Sequence, residues 1–267
     1  MRYLTCEQEN ILFQAMRRCG DIMLQAHETA DVEDGVIEKP GSANFVTAYD
    51  VKVQETLVAE IAKCVPDAVF FAEEKDNFAE DTKNGLCFVI DPIDGTTNFI
   101  HYLGASTISV GALMDGKPVL GCVYDPYRND FFIAVDGKGA YKNGERISVS
   151  DRDMPTAVVS FGTTPYRKKE YAEEGFRIAR DILCNCSDLR RSGSAALDMA
   201  NIACGKLDGF FECILCPWDY MAGTVLIREA GGIVTDFNGT DIGFTEPSPL
   251  LCSNGIIQNK LLALINR

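Results

Sequence analysis

The sequence predicts an α+β first half followed by an α/β second half, with the change of style near residues 145–155. Three observations carry this reading. Apolar residues at helical spacing open the chain, a meander of apolar runs and turn dipeptides fills its middle, and strand-like and helix-like segments alternate after about Ser150. The expected sub-domains are therefore 1–148 and 149–267.

Thr5 to Ala30 reads as a helix, because Ile11, Leu12, Ala15, Met16, Cys19, Ile22, Met23 and Ala26 share one face. Thr5 with Gln8 makes its capping box. "DVEDGVIEKPGSANF" is a polar, turn-rich connection or a mobile hairpin. Leu57, Val58, Ile61, Ala62 and Val65 mark a second amphipathic helix, which Pro66 ends. "AVFFAEE" and "LCFVID" read as strands running into acids. "STISVGALMDGKPVLGCVYDPYRNDFFIAV" is an antiparallel meander with turns at Asp115-Gly116 and Pro126, and "GKGAYKNGERISVS" carries a further Asn-Gly turn. In the second half "TAVVSF", "LDGFFE" and "GGIVTDF" are strands. Residues 168–183, 194–204, 220–230 and 256–265 are helices.

Composition narrows the function. The 267 residues are 46% hydrophobic, enough for a sizeable core. A net charge of −14 argues against nucleic acid or an anionic membrane as partner, since both demand basic patches. A small phosphorylated substrate remains open, because a bound metal ion inverts the local field. The N-terminus "MRYLTCEQEN" lacks the apolar core of a signal peptide, and no run is long and apolar enough to span a bilayer. The 11 cysteines are scattered, and Cys213 with Cys216 forms the one C-x-x-C, with no second pair to complete a zinc site. Reduced, mostly buried thiols in a cytoplasmic protein are expected. Two histidines, His27 and His101, are too few for a His-rich metallohydrolase.

The informative stretch is "FVIDPIDGTTNF", an apolar run that ends in two aspartates three apart. Buried carboxylates gain nothing in a core strand unless a cation sits among them. Asp91 and Asp94 are joined by Glu73 and Glu74 at the end of "FFAEE", and by Asp219 after the single tryptophan. Strand ends and helix starts are where open α/β sheets place ligands. Taken singly, Glu74 reads as surface charge, Asp219 as a helix cap and Asp94 as a turn former. Taken together, carboxylates select a hard, oxygen-loving cation, so Mg²⁺ fits better than Zn²⁺. Two such ions about 3.5–4 Å apart activate a water and stabilise a leaving oxygen. The glycine and hydroxyls of Gly95-Thr96-Thr97 suit a phosphate cradle at a helix start.

Covalent phosphatase chemistries fit less well. "DPIDGT" is one residue longer than the D-x-D-G-T of an aspartyl nucleophile, which changes where the second acid points. The C-x₅-R matches at Cys122…Arg128 and Cys184…Arg190 lack the glycines that let backbone amides face a phosphate.

"DPIDGTTNF", the upstream "EE" and "WDYMAGTVLIREAGG" resemble the inositol monophosphatase family of Mg²⁺-dependent, lithium-sensitive phosphatases. The likeness extends to "NFVTAYD", "GKGAYKNG" and "RRSGSAALDMA". It implies a layered αβαβα sandwich, a homodimer, and two or three Mg²⁺ per site. By this resemblance Glu73, Asp91, Asp94, Asp219 and the Ile93 carbonyl hold metal. Glu73 and Thr96 orient the attacking water with support from Asp50, and Gly95 with Thr96 holds phosphate. Gly193, Ser194, Ala195, Glu212 and Asp219 face the polyol or sugar. The implied reaction is hydrolysis of myo-inositol monophosphate. Fructose 1,6-bisphosphate, 3′-phosphoadenosine 5′-phosphate and histidinol phosphate are alternatives, and a non-catalytic regulatory subunit is a reading of another class. Two departures stand out: Ala72 replaces the glycine usual before the paired glutamates, and "HYLGAS" replaces the usual His-Gly-aromatic-Pro run.

Overall fold

The computed structural model describes residues 3–29, 37–38, 45–74 and 82–267. The first helix, α1 (Cys6–Thr29), starts from the expected capping box: the Thr5 hydroxyl accepts from the Gln8 N–H, and the Gln8 side chain accepts from the Thr5 N–H. Two short strands, β1 (Ile37–Glu38) and β2 (Phe45–Val46), pair antiparallel in the polar connection, whose other residues up to 44 lie outside the described set. The second helix, α2 (Ala48–Cys64), begins at the Thr47 cap and stops before Pro66.

A seven-stranded sheet follows. It consists of β3 (Val69–Ala72), β4 (Leu86–Asp94), β5 (Thr107–Met114), β6 (Lys117–Asp125), β7 (Asp130–Val135), β8 (Gly139–Lys142) and β9 (Glu145–Ile147), in that spatial order. Only β3 runs parallel to its neighbour. Asp115-Gly116 and Asn143-Gly144 turn the chain with positive φ at both residues (51° and 76°, 49° and 83°), the conformation that favours these residue types in tight hairpins. A five-residue helix, α3 (Thr96–Ile100), interrupts the sheet after β4.

The second sheet has the order β11-β10-β12-β14-β13, from β10 (Val158–Phe161), β11 (Asp188–Arg190), β12 (Gly209–Leu215), β13 (Ile233–Thr235) and β14 (Ser248–Ser253). Between these strands run α4 (Lys168–Leu183), α5 (Ala195–Ala203) and α6 (Pro217–Glu229), with α7 (Gln258–Ile265) at the end. Three details differ from expectation. The strand carrying Asp91 continues through Asp94. Helix α6 begins three residues before Tyr220, with Pro217 in its first turn, where a missing N–H costs nothing. Strands β11 and β14 have no counterpart in the sequence reading, because "DLR" is only three residues and "SPLLCS" shows neither alternation nor a long apolar run.

The layers are α1 and α2, the seven-stranded sheet, α5 and α6, the five-stranded sheet, then α4 and α7: an αβαβα sandwich. Strand alternation divides the core accordingly. Phe88 and Ile90 of β4 join the α1/α2 side, while Cys87 and Val89 join the middle layer with Met221 and Val225. Val159, Phe211, Ile178 and Leu261 fill the far side of the second sheet. Helix α6 lies very close to the first sheet. Gly111 and Gly121 are directly paired across β5 and β6, and a Cβ on either would stand 1.8 Å from Met221 Sδ or 2.2 Å from the Ala222 carbonyl oxygen.

Candidate active site

The two aspartates of "DPID" are brought to one side by a β-bulge. Asp91 pairs with Ser109 and Asp94 with Thr107, so β4 takes three steps where β5 takes two. In a regular strand residues three apart face opposite sides; the extra residue restores the phase. Ile93, between them, is packed with Phe88 and Ile90 in the outer core. Pro92 sits in the bulge, where no ladder N–H is demanded.

Each acid is then oriented by its neighbours. Asp91 accepts the Ile93 N–H at 3.1 Å. Asp94 accepts the Ala196 N–H at 2.8 Å, the Thr107 hydroxyl at 3.5 Å and the Ser194 hydroxyl, which ties β4 to the start of α5. Asp219 lies in the first turn of α6 and accepts the Cys216 N–H at 2.7 Å. The Gly111–Gly121 seat fixes the height of α6 over the sheet, and the Ser109 hydroxyl donates to the Trp218 carbonyl at 3.3 Å. One carboxylate oxygen from each of Asp91, Asp94 and Asp219 then lies within 4.8 Å of the others.

Burial is the first cause that raises all three carboxyls above the ordinary aspartate value. For Asp91 the charges of Glu73, Asp94 and Asp219 add to it; for Asp219 those of Glu73 and Asp94 do. Asp94 is pushed up to about 6, its rise limited by the bonds from Ser194, Ala196, Ala195 and Thr107. Like-charged carboxylates gathered in low dielectric are a set that a divalent cation relieves, and their oxygen donors suit Mg²⁺. Glu73 stands beside the tight group rather than in it: its N–H bonds the Ile90 carbonyl at 3.1 Å, and its side chain lines the cleft.

Thr96 opens α3 after Gly95, whose φ of 91° and ψ of 44° favour glycine. A Cβ there would stand 3.0 Å from the Gly193 carbonyl oxygen and 3.2 Å from that of Ala105, so the close approach also selects glycine. The Thr96 hydroxyl lies 3.2 Å from both Asp50 Oδ1 and the Ile93 carbonyl. Asp50 is fully buried and held by the Thr47 N–H at 2.7 Å and hydroxyl at 2.6 Å; burial pushes it up to about 6 despite those bonds. Gly193, Ser194, Ala195 and Glu212 line the same cleft. Glu212 is buried in β12, and burial pushes it up to about 7.

The structure adds cleft residues that the sequence reading passed over. Asp198, buried on α5, is pushed up to about 8 by burial, with hydrogen bonds from Ser192 opposing the rise. It was visible as the one acid in the apolar helix "AALDMANIA". Tyr166 and Arg191 also line the cleft, and Asn98 donates to the carbonyls of Ala105 at 2.7 Å and Ser192 at 2.9 Å, bracing the Gly193 loop. Tyr166 lies between the strand "TAVVSF" and the helix from 168, and Arg191 just before the helix from 194, where no periodic pattern marks a side chain.

A model of the inositol monophosphatase family matches residues 7–267. The chain belongs to the inositol monophosphatase family. Nus factor SuhB of Escherichia coli K12 is 40% identical over 231 residues, which cover 86% of this chain and 85% of that protein. An IMPase of Thermotoga maritima superposes with a TM-score of 0.86 at 31% identity, covering 97% of each chain. Inositol monophosphatase II of Staphylococcus aureus, solved with inositol monophosphate bound, gives a TM-score of 0.79 at 25% identity over 96% of this chain and 92% of that one. Family membership makes phosphatase chemistry the frame in which the acid cluster is read, and no described helix is long and apolar enough to cross a membrane.

Proposed function

We propose that this chain is a Mg²⁺-dependent phosphomonoesterase that hydrolyses myo-inositol monophosphate to inositol and phosphate. The observation that carries the proposal is the convergence of Asp91, Asp94 and Asp219 in a cleft that Gly95, Thr96 and Glu212 also line. In this reading Glu73, Asp91, Asp94, Asp219 and the Ile93 carbonyl hold two or three Mg²⁺, which when bound supply Lewis acidity toward the ester and its attacking water.

The chain's own groups do the rest. The Thr96 hydroxyl donates toward Asp50, which leaves its lone pairs for a water proton, and Glu73 accepts the other proton. The left-handed Gly95 lets the phosphate approach the backbone N–H groups at the start of α3. Glu212, Ser194 and the backbone of Gly193 and Ala195 receive the polyol hydroxyls. No side-chain nucleophile is involved, so no phosphoenzyme forms. A homodimer, carried by the family resemblance, a cytoplasmic setting, carried by the scattered unpaired cysteines, and the division at 148/149 into sub-domains belong to the same proposal.

The SuhB relatives are named Nus factors, a statement about those proteins. Here every acid of the proposed metal set is present, which supports catalysis over a purely regulatory role. The test is Mg²⁺-dependent phosphate release from inositol monophosphate, fructose 1,6-bisphosphate, 3′-phosphoadenosine 5′-phosphate and histidinol phosphate. The proposal expects the highest kcat/KM for the inositol ester. A clear preference for another of the four reassigns the substrate, and no release from any of them removes the enzymatic reading.

A further inference from the structure

The loop that joins β10 to α4 is held in an unfavourable conformation, and it brings Tyr166 to the cleft. Thr164 adopts φ 42° and ψ 60°, the left-handed region that a β-branched residue rarely enters. Glu212 holds it there: one carboxylate oxygen accepts both the Thr164 N–H at 2.7 Å and the Thr164 hydroxyl at 3.2 Å. Gly162 provides the space, since a Cβ at that position would lie 1.8 Å from the other Glu212 oxygen. Arg191 donates to the Thr163 hydroxyl at 3.2 Å and fixes the loop from its other side.

Tyr166, thus placed, lines the cleft together with Glu73, Glu212 and Asp219. Its hydroxyl has no hydrogen bond within the protein among the described residues, and no buried side-chain oxygen there lacks a partner, so the hydroxyl of this cleft-lining residue is accessible. A tyrosine hydroxyl is a protonated donor at neutral pH.

A polyol hydroxyl both donates and accepts, whereas ionised carboxylates only accept. Glu212 and Asp198, raised by burial to about 7 and about 8, are partly protonated near neutral pH, whereas the Tyr166 hydroxyl can donate to a ring oxygen whatever their ionisation. We propose that Tyr166 is a substrate-positioning and specificity residue, whose hydroxyl donates to a ring hydroxyl oxygen of a polyol phosphate while carboxylates of the same wall take the ring hydroxyl protons. This rests on the phosphatase reading above and adds a donor that selects hydroxyl-rich esters over plain alkyl or aryl ones.

The experiment compares wild type with Tyr166→Phe on inositol monophosphate and on p-nitrophenyl phosphate, at saturating Mg²⁺, with thermal unfolding as a control. Wild-type turnover of both esters secures the underlying reading, and without it both proposals fall. Given that turnover, Tyr166→Phe is expected to lower the ratio of the two kcat/KM values, inositol ester over aryl ester, about 10-fold. The loss should appear mainly in KM for the inositol ester, and the Mg²⁺ activation curve should keep its midpoint. An equal loss on both esters would assign Tyr166 to the metals or the fold, and an unchanged ratio with no loss on either would remove it from recognition; each result overturns the proposal.

Discussion

Gly121→Ala tests the structural route by which Asp219 reaches the other acids. Gly121 has no unusual φ, so the glycine is explained by proximity alone: a Cβ would meet the Ala222 carbonyl oxygen at 2.2 Å and its carbon at 3.0 Å. Ordinary contact begins near 3.4 Å, so α6 must retreat by about 1 Å or the sheet must bend. Overpacking of this kind costs about 1–3 kcal/mol. For a protein of this size that is a loss of roughly 2–10 °C in melting temperature. The same retreat moves Asp219, three residues before Ala222 on α6, away from Asp91 and Asp94. A misplacement of about 1 Å in a catalytic group costs up to about 100-fold in rate. Differential scanning fluorimetry and Mg²⁺-dependent phosphate release measure the two effects, and the activity loss should exceed what partial unfolding explains. A Gly121→Ala protein with wild-type melting and turnover would refute the close-seat argument. Normal melting with lost turnover would place the effect on Asp219 alone.

Asp91→Asn removes one charge from a crowded acid group, so the metal-free variant should melt at or above the wild-type temperature while phosphate release is lost; a clear drop in melting would mean that Asp91 is chiefly structural. Glu212→Gln should cost about 10- to 100-fold in kcat/KM for the inositol ester, the worth of a charged hydrogen bond of about 1.5–3 kcal/mol, with unchanged Mg²⁺ dependence. Equal slowing of an ester without hydroxyls would instead point to the Thr164 loop that Glu212 anchors. The pH dependence follows from Glu212, raised to about 7, and Asp198, raised to about 8. Their folded values lie above the unfolded ones, so the folded state binds more protons and stability is lost as pH rises through the folded values. In EDTA the melting temperature should therefore be higher at pH 6.5 than at pH 8, and a flat or inverted trend would contradict the buried assignment of these acids.

The acids were legible in the sequence because their placement is local. An apolar strand that runs into Asp91 and Asp94, and the single tryptophan before Asp219, mark sheet ends and a helix start without tertiary knowledge. Their common face was not legible. A spacing of three puts strand residues on opposite sides, and the bulge that reverses this shows only in the pairing with Ser109 and Thr107. The Gly111–Gly121 seat was missed for the same reason, since each glycine alone reads as a weak strand residue and their meaning is the contact with Met221 and Ala222. Glu212 illustrates a reading enlarged by structure: alone it could be a surface strand-end acid, yet it is buried and clamps Thr164 across 48 residues of chain. Strand β14 was lost because a central strand flanked by Ser and Pro carries no periodic signal over so few residues.

The central claim is that Asp91, Asp94 and Asp219 form a divalent-cation site, and calorimetric titration of Mg²⁺ into the metal-free protein tests it most directly. The account predicts saturable binding in wild type over the concentration range that activates phosphate release, and loss of that binding in both Asp91→Asn and Asp219→Asn. Saturable binding retained in both variants, or none in wild type at any activating concentration, would contradict it.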